Sequence, residues 1–445
     1  MMWFLLATLF LTPVDTSSMQ DIVVMYNGRM KPLSTHARES VRRALGEAEA
    51  AGLKPLETYA SMLLDPESWE REKFIVPEPE LARELFGDPD IRLSVADVRE
   101  ASEKLRSLIQ SGRGTGGGGG KMQLLADQAM QLMNQAFSLQ DLSADLFIVP
   151  HRGDWFSMRD ARSASIENFV TPYDAMKQAY LDGDQAGFDG AVARLIAAQR
   201  KSGEVLSRGM VSLENIYYAL DVRKVGLLIF LLCSVLYFVP RTRRVAFALL
   251  ILGIAWNCWI IGGRTAIGGR LPLKNLNEVF LVVLFAVPVI GLLLQSLFRN
   301  PVYGAVSALL SVVGFTGSLF LNPHGYDITP LMAILISPWR EVHILTIMLS
   351  YAVLLVAMGL HLAFLILVFV QPSARTLQDG AVAYSPLADD LDRKAYLMVV
   401  WGFLFLTVGI TTGAAWAHSS WGRYWGWDPK EVWATVAWAI YAAFL

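Results

Sequence analysis

Cysteine is nearly absent from the 445 residues: only Cys233 and Cys258 occur, both inside apolar runs, which excludes a disulfide framework. No CxxCH string is present, so the chain has no attachment point for a covalent c-type haem. A formal net charge of −2 excludes nucleic-acid binding. The apolar start, Met1 to Leu11, has no Lys or Arg before it, as a signal peptide requires, and eleven residues are too few to cross a bilayer. Residues 1–16 therefore read as part of a spanning helix, with an atypically started signal as the alternative.

Charge is scarce in the second half. With 54% apolar residues and a mean hydropathy of +0.39, this asymmetry divides the chain into a water-exposed portion, residues 17–222, and a membrane portion, residues 223–445. Helical patterns such as Glu80 to Leu85 and Val95 to Ile109 make the first portion a mostly helical domain. Inside it, Gly112 to Gly120 is a low-complexity linker. It is not a phosphate-binding loop, because Thr115 stands where the first glycine belongs and Met122 where Ser or Thr must bind magnesium. His36 and His151 are solitary there, and a lone histidine is more often structural than a ligand.

The predicted spans are Val225 to Val239, Val245 to Gly262, Glu278 to Phe298, Val302 to Leu321, Val342 to Val370 and Ala395 to Trp416, with another helix starting at Val432. The short basic link Pro240 to Arg244 belongs on the cytoplasmic side. Counting from it puts residues 17–222, Arg264 to Asn277, Asn322 to Glu341 and the segment after Trp416 outside. The fold class expected is an α-helical multi-span membrane protein with an N-terminal, mostly helical extracytoplasmic domain.

Between the last two apolar segments stands WAHSSWGRYWGWDPKEVW, residues 416–433, with Trp416, Trp421, Trp425, Trp427 and Trp433. An aromatic belt is one reading of it. Indole faces also offer a flat apolar platform, indole N–H groups can meet polar groups at a ligand's edge, and Gly422 and Gly426 admit close approach to the backbone. Asp428, Pro429 and Glu431 have the spacing of a capping box, so a capping role stands beside a ligand role for Asp428 and Glu431.

The string W-G-x-x-W-x-W-D-P-K-E resembles the tryptophan-rich signature of the cytochrome c assembly proteins of CcsA/ResC type, the system II cytochrome c synthase, with CcmC and CcmF as relatives. The resemblance covers about the last 220 residues well, and GRMKPLSTHARE is similar to a segment of the long fused members. It implies a haem-binding protein of cytochrome c biogenesis, a haem lyase-like component that assists attachment of haem to the CxxCH of apocytochrome c. Haem b would be held non-covalently and transiently on the outer face of the bacterial plasma membrane, with a ResB/CcsB-type partner or fused segment. His343 matches the external histidine before the motif that acts as axial ligand to haem iron. By the same resemblance, Trp421, Gly422, Trp425, Trp427, Asp428 and Glu431 would be the motif's haem contacts. Arg264 and Arg270, in a segment similar to the family's G-R-x-P-x-x-N-x-x-E string, could pair with haem propionates or serve as interface anchors. Asn275 and Glu278 have capping-box spacing.

His324 is an alternative ligand, and His361 shares the face of His343 but lies roughly 27 Å deeper, so one haem cannot use both. His361 is read either as serving haem entry or as bonding a neighbouring helix. His418 is not promoted to ligand. Family members continue beyond this motif to a second axial histidine, so the chain looks C-terminally truncated and is expected to hold haem loosely without completing synthesis. Two other classes stay open: a haem chaperone or exporter without synthase activity, and a multi-span transporter whose tryptophans are only a belt.

Overall fold

The computed structural model describes residues 14–45, 53–114, 120–140, 146–203, 205–321, 327–331, 337–371, 375–378 and 381–445. The apolar start up to Leu11, most of the glycine linker and His324 lie outside the described residues. Contacts divide the chain into two compact units, Met1–Ile216 and Tyr217–Leu445.

The first unit contains a sheet that hydrophobic periodicity did not reveal. Strands β1 (Val23–Tyr26) and β2 (Arg29–Pro32) form one hairpin, β3 (Phe147–His151) and β4 (Asp154–Ser157) a second, in the antiparallel order β2-β1-β3-β4. Each turn takes two residues with positive φ, Asn27 and Gly28 at 51° and 73°, Arg152 and Gly153 at 55° and 89°. That is the backbone whose twist suits a two-residue hairpin. Each hairpin runs directly into a helix, α1 (Leu33–Leu45) or Met158–Ser163, so the same unit occurs twice.

Five helices cover this sheet or pair beyond it: α2 (Pro55–Leu64), the antiparallel pair α3 (Ser102–Gly114) and α4 (Gly120–Gln140), α5 (Glu167–Asp182) and α6 (Gln185–Ser202). Met19, Ile22, Leu33, Tyr59, Phe169 and Phe188 lie in one core, while Leu81, Leu105, Leu125 and Ala129 form another around α3 and α4. Buried Gln199 of α6 clasps the two hairpins: its amide bonds Val23 O at 2.7 Å and Ile148 O at 2.8 Å, and its oxygen accepts from Val23 N.

The second unit is a helical bundle of α7 (Val222–Phe238), α8 (Arg243–Gly268), α9 (Leu276–Phe298), α10 (Pro301–Leu321), α11 (Pro338–Val370), α12 (Pro386–Trp421) and α13 (Pro429–Phe444). Five described helices, all but α7 and α13, are long and apolar enough to cross a membrane. The first expected span becomes the 17-residue α7, about 25 Å long against a hydrocarbon core of about 30 Å. Pro240 follows its C-cap Val239 and cannot continue the helix. Conversely α12 starts nine residues before the expected Ala395. Ser385 caps it by accepting from Ala388 N, and Pro386 opens the first turn, so the charged stretch Asp389 to Lys394 is helical too. A hairpin of β5 (Arg375–Gln378) and β6 (Ala381–Tyr384) joins α11 to α12.

Helices α11 and α12 pack as a long antiparallel pair. Three glycines of α12 face three large side chains of α11 in matching register: Gly402 opposite Leu354, Gly409 opposite Ile347, Gly413 opposite His343. A Cβ at any of them would collide with that partner. Hydroxyl and imidazole groups then reach the carbonyls so exposed. Ser350 donates to Gly402 O at 2.7 Å, and His343 bonds Gly409 O. Small residues at a helix seam do this in membranes, where no hydrophobic force separates helix from lipid.

Candidate functional site

One end of the bundle gathers the C-termini of α8 and α12 and the N-termini of α9, α11 and α13. His343, in the second turn of α11, is half-buried there, its Nδ1 2.7 Å from Gly409 O. A carbonyl only accepts, so Nδ1 carries the proton and Nε2 keeps its lone pair. The ring lies 6.0 Å from the Trp416 ring at 30°, and Trp416 lies 5.4 Å from Trp421 at 51°. A line of aromatic rings thus runs from His343 to the bundle's surface. The Trp416 indole N–H is buried with no hydrogen-bond partner among the described residues, and such a group ordinarily has one.

Beyond Trp416 the chain turns sharply. Gly422, at φ 73°, ends α12 and returns its N–H to His418 O. Trp427 adopts φ 58°, a left-handed conformation uncommon for a bulky residue. Trp421, Trp427 and Trp433 are 55%, 76% and 70% exposed, so their faces are open, while Trp425 is half-buried and edge-on to Trp427. Asp428 caps α13, Oδ1 accepting from Lys430 N and Glu431 N at 2.8 and 2.9 Å. Glu431 does not close the box on Asp428; its carboxylate accepts from Gly426 N at 2.6 Å and so fixes the loop before the cap. The bare face of Gly426 is occupied by the Arg423 guanidinium. His418 stacks on Tyr424 at 4.1 Å.

Arg264 and Arg270 meet on one carboxylate. Glu278, 1% exposed, accepts from Arg270 through both guanidinium nitrogens at 2.7 and 3.0 Å and from Arg264 at 3.2 Å. Asn275 caps α9 as its spacing predicts, accepting from Glu278 N, but Glu278 reaches back to Lys274 N, one residue before the cap. Arg270 also donates to Thr329 O, Lys274 to Thr329 Oγ1 and Pro330 O, and Arg340 to Leu273 O. These bonds tie segment 264–278 to segment 327–330 and to the first turn of α11, one turn before His343. The Lys274 ammonium is held below the ordinary lysine value, first by loss of water and then by the neighbouring Arg270. Arg264 is 2% exposed, and Arg270 is braced on three sides.

Other histidines stand apart. His361 bonds Ala357 O of its own helix and lies 3.9 Å from Asp392 of α12. His36 packs edge-on between Tyr26 and Tyr59, and burial pushes its pKa down to about 3, keeping it neutral. His151 sits at the turn end of β3 against Phe156.

Comparison with known proteins agrees with this architecture. The family described as cytochrome C assembly protein matches residues 273–445, which includes α9 to α13 and the tryptophan motif. The cytochrome c biogenesis protein CcsA of Thermosynechococcus vestitus is 32% identical over 221 residues, 42% of this chain and 69% of that protein. CcsA of Guillardia theta is 32% identical, covering 42% and 66%, and CcsA of Parasynechococcus marenigrum 33%, covering 40% and 65%. The chain spans about two thirds of the length of these relatives. Fold and family together define a multi-pass helical membrane protein of cytochrome c assembly. Within that class, the chain belongs to the CcsA-type cytochrome c biogenesis family.

Proposed function

We propose that the motif end of the bundle holds haem, as substrate rather than resident cofactor, and assists its covalent attachment to the CxxCH of apocytochrome c. The observation that carries this reading is His343: its proton is committed to Gly409 O, so Nε2 is the nitrogen available to iron. The residues present suit a porphyrin. Trp421, Trp427 and Trp433 offer open apolar faces, and the buried Trp416 N–H lacks a partner among the described residues. Bound haem supplies the vinyl groups to which the cysteine thiols add. No nucleophile is required of this chain.

Each remaining residue then has a task. Asp428 and Glu431 hold the loop that displays Trp427, and Gly422 turns it. Arg264 and Arg270 position the segment beside α11 through Glu278 and do not touch haem. The haem is of b type, held non-covalently. The motif end and residues 17–222 face the outside of a bacterial plasma membrane, where the first unit guides apocytochrome c, alone or with a ResB/CcsB-type partner.

Full-length protein should show a Soret band on purification. Co-expression with a CxxCH reporter and a stain for covalent haem then separates attachment from carriage. A Soret band without staining leaves a haem chaperone, and no band removes the haem reading altogether.

A further inference from the structure

At the bundle end opposite the tryptophans, the ends of α7 and α11 and the starts of α10 and α12 leave a groove of about 440 Å³. Its walls are mostly apolar, with Val302, Ala305, Leu309, Ala363 and Ile366 among them, and Arg243 is the one charged residue lining it among the described residues. Its rim is apolar and open, with Phe238 and Val370 77% and 72% exposed. Arg243 and Arg244 open α8 and Arg241 lies in the link before it, and all three are exposed.

The charge at this end does not cancel. Arg243 donates Nε–H to Tyr237 O, yet none of the three arginines has an ion-pair partner among the described residues. The acids of the first turns of α12 lie against other partners: Asp390 against the Tyr303 hydroxyl at 2.5 Å and Lys394, Asp389 against Arg393, and Asp392 3.9 Å from His361 Nε2. The groove therefore pairs an apolar channel with guanidinium groups that have no ion-pair partner among the described residues.

We propose that this groove is a binding site for an anionic phospholipid, one acyl chain lying between α10 and α11 and the phosphate at Arg243. Basic pockets between membrane helices recognise lipid headgroups in this way. A guanidinium fork suits phosphate oxygens better than a zwitterionic headgroup, whose own cation competes for them.

Native mass spectrometry of the full-length protein, exchanged into micelles doped with dioleoyl phosphatidylglycerol or dioleoyl phosphatidylcholine, tests this. Phosphatidylglycerol should be retained roughly fivefold better, the effect of about one arginine on an anionic lipid. Arg243→Gln should reduce that preference below twofold. Ala305→Leu, which narrows the apolar channel and leaves the charge, should lower retention of both lipids, with an unchanged melting temperature in detergent showing that the bundle is intact. Equal retention of the two lipids by the wild type, or a preference unchanged in Arg243→Gln, would overturn the proposal. So would competition by inorganic phosphate alone, which would mark a bare anion site.

Discussion

Replacing Gly413 with Ala should displace His343 without altering any polar group. The added Cβ would stand 2.8 Å from Cε1 and Nδ1 of the imidazole, whereas non-bonded carbons sit at about 3.5 Å or more. A shift of roughly 0.7 Å is needed, either by parting α11 from α12 or by turning the ring off Gly409 O. The second route loses a hydrogen bond worth about 1 kcal/mol, and overpacking adds about 1–3 kcal/mol. Because that bond orients the imidazole, haem affinity should fall about 10- to 100-fold. Haem titration of the purified full-length variant, followed at the Soret band, reads the change. Gly262→Ala is the control, since nothing lies within 4 Å of its added Cβ. Unchanged affinity and band position in Gly413→Ala would refute the argument that His343 is held by α12 for coordination.

Glu278→Gln leaves the buried Arg264 and the half-buried Arg270 guanidinium groups without their carboxylate, and should destabilise the bundle by about 3 kcal/mol. Thermal melting in detergent reads this, with exposed Glu341→Gln unaffected. Trp427→Gly relieves a left-handed backbone costing about 1 kcal/mol, so stability should rise while haem retention falls; a fall in both would show the strain is absent. His36 has its folded pKa at about 3, below its unfolded 6.5, so the unfolded chain binds the extra proton and stability declines as pH falls through that interval. At pH 5 the loss is about 2 kcal/mol relative to pH 7, visible as weaker hydrogen-exchange protection of residues 23–41 after correction for intrinsic rates, and His36→Phe should abolish it. Reporters fused after Arg113 and after Gly380 should report opposite sides of the membrane.

The long membrane helices and the tryptophan motif were legible because each is a local property: an apolar run of spanning length, or a dense string of one residue type. The caps were legible for the same reason, Asn275 to Glu278 and Asp428 to Glu431 each falling within one turn. What Glu431 and Glu278 do beyond the cap was not. Gly426 N and the two arginines reach them across turns that spacing does not describe. Gly409, 66 residues from His343, becomes its partner only when α11 and α12 pack antiparallel, so no motif could announce it. The hairpins of the first unit had a readable signal in Asn27-Gly28 between VVMY and RMKP. Strands of four residues gave too little alternation to draw attention to it. Arg152-Gly153 uses a residue not favoured at φ above zero, which hid the second copy.

The most direct test of the central claim is the absorption spectrum of the purified full-length protein with His343→Gly, before and after imidazole is added. The account predicts a lost or shifted Soret band that free imidazole restores, while His36→Ala keeps the wild-type spectrum. A His343→Gly protein whose haem content and spectrum match the wild type would contradict it.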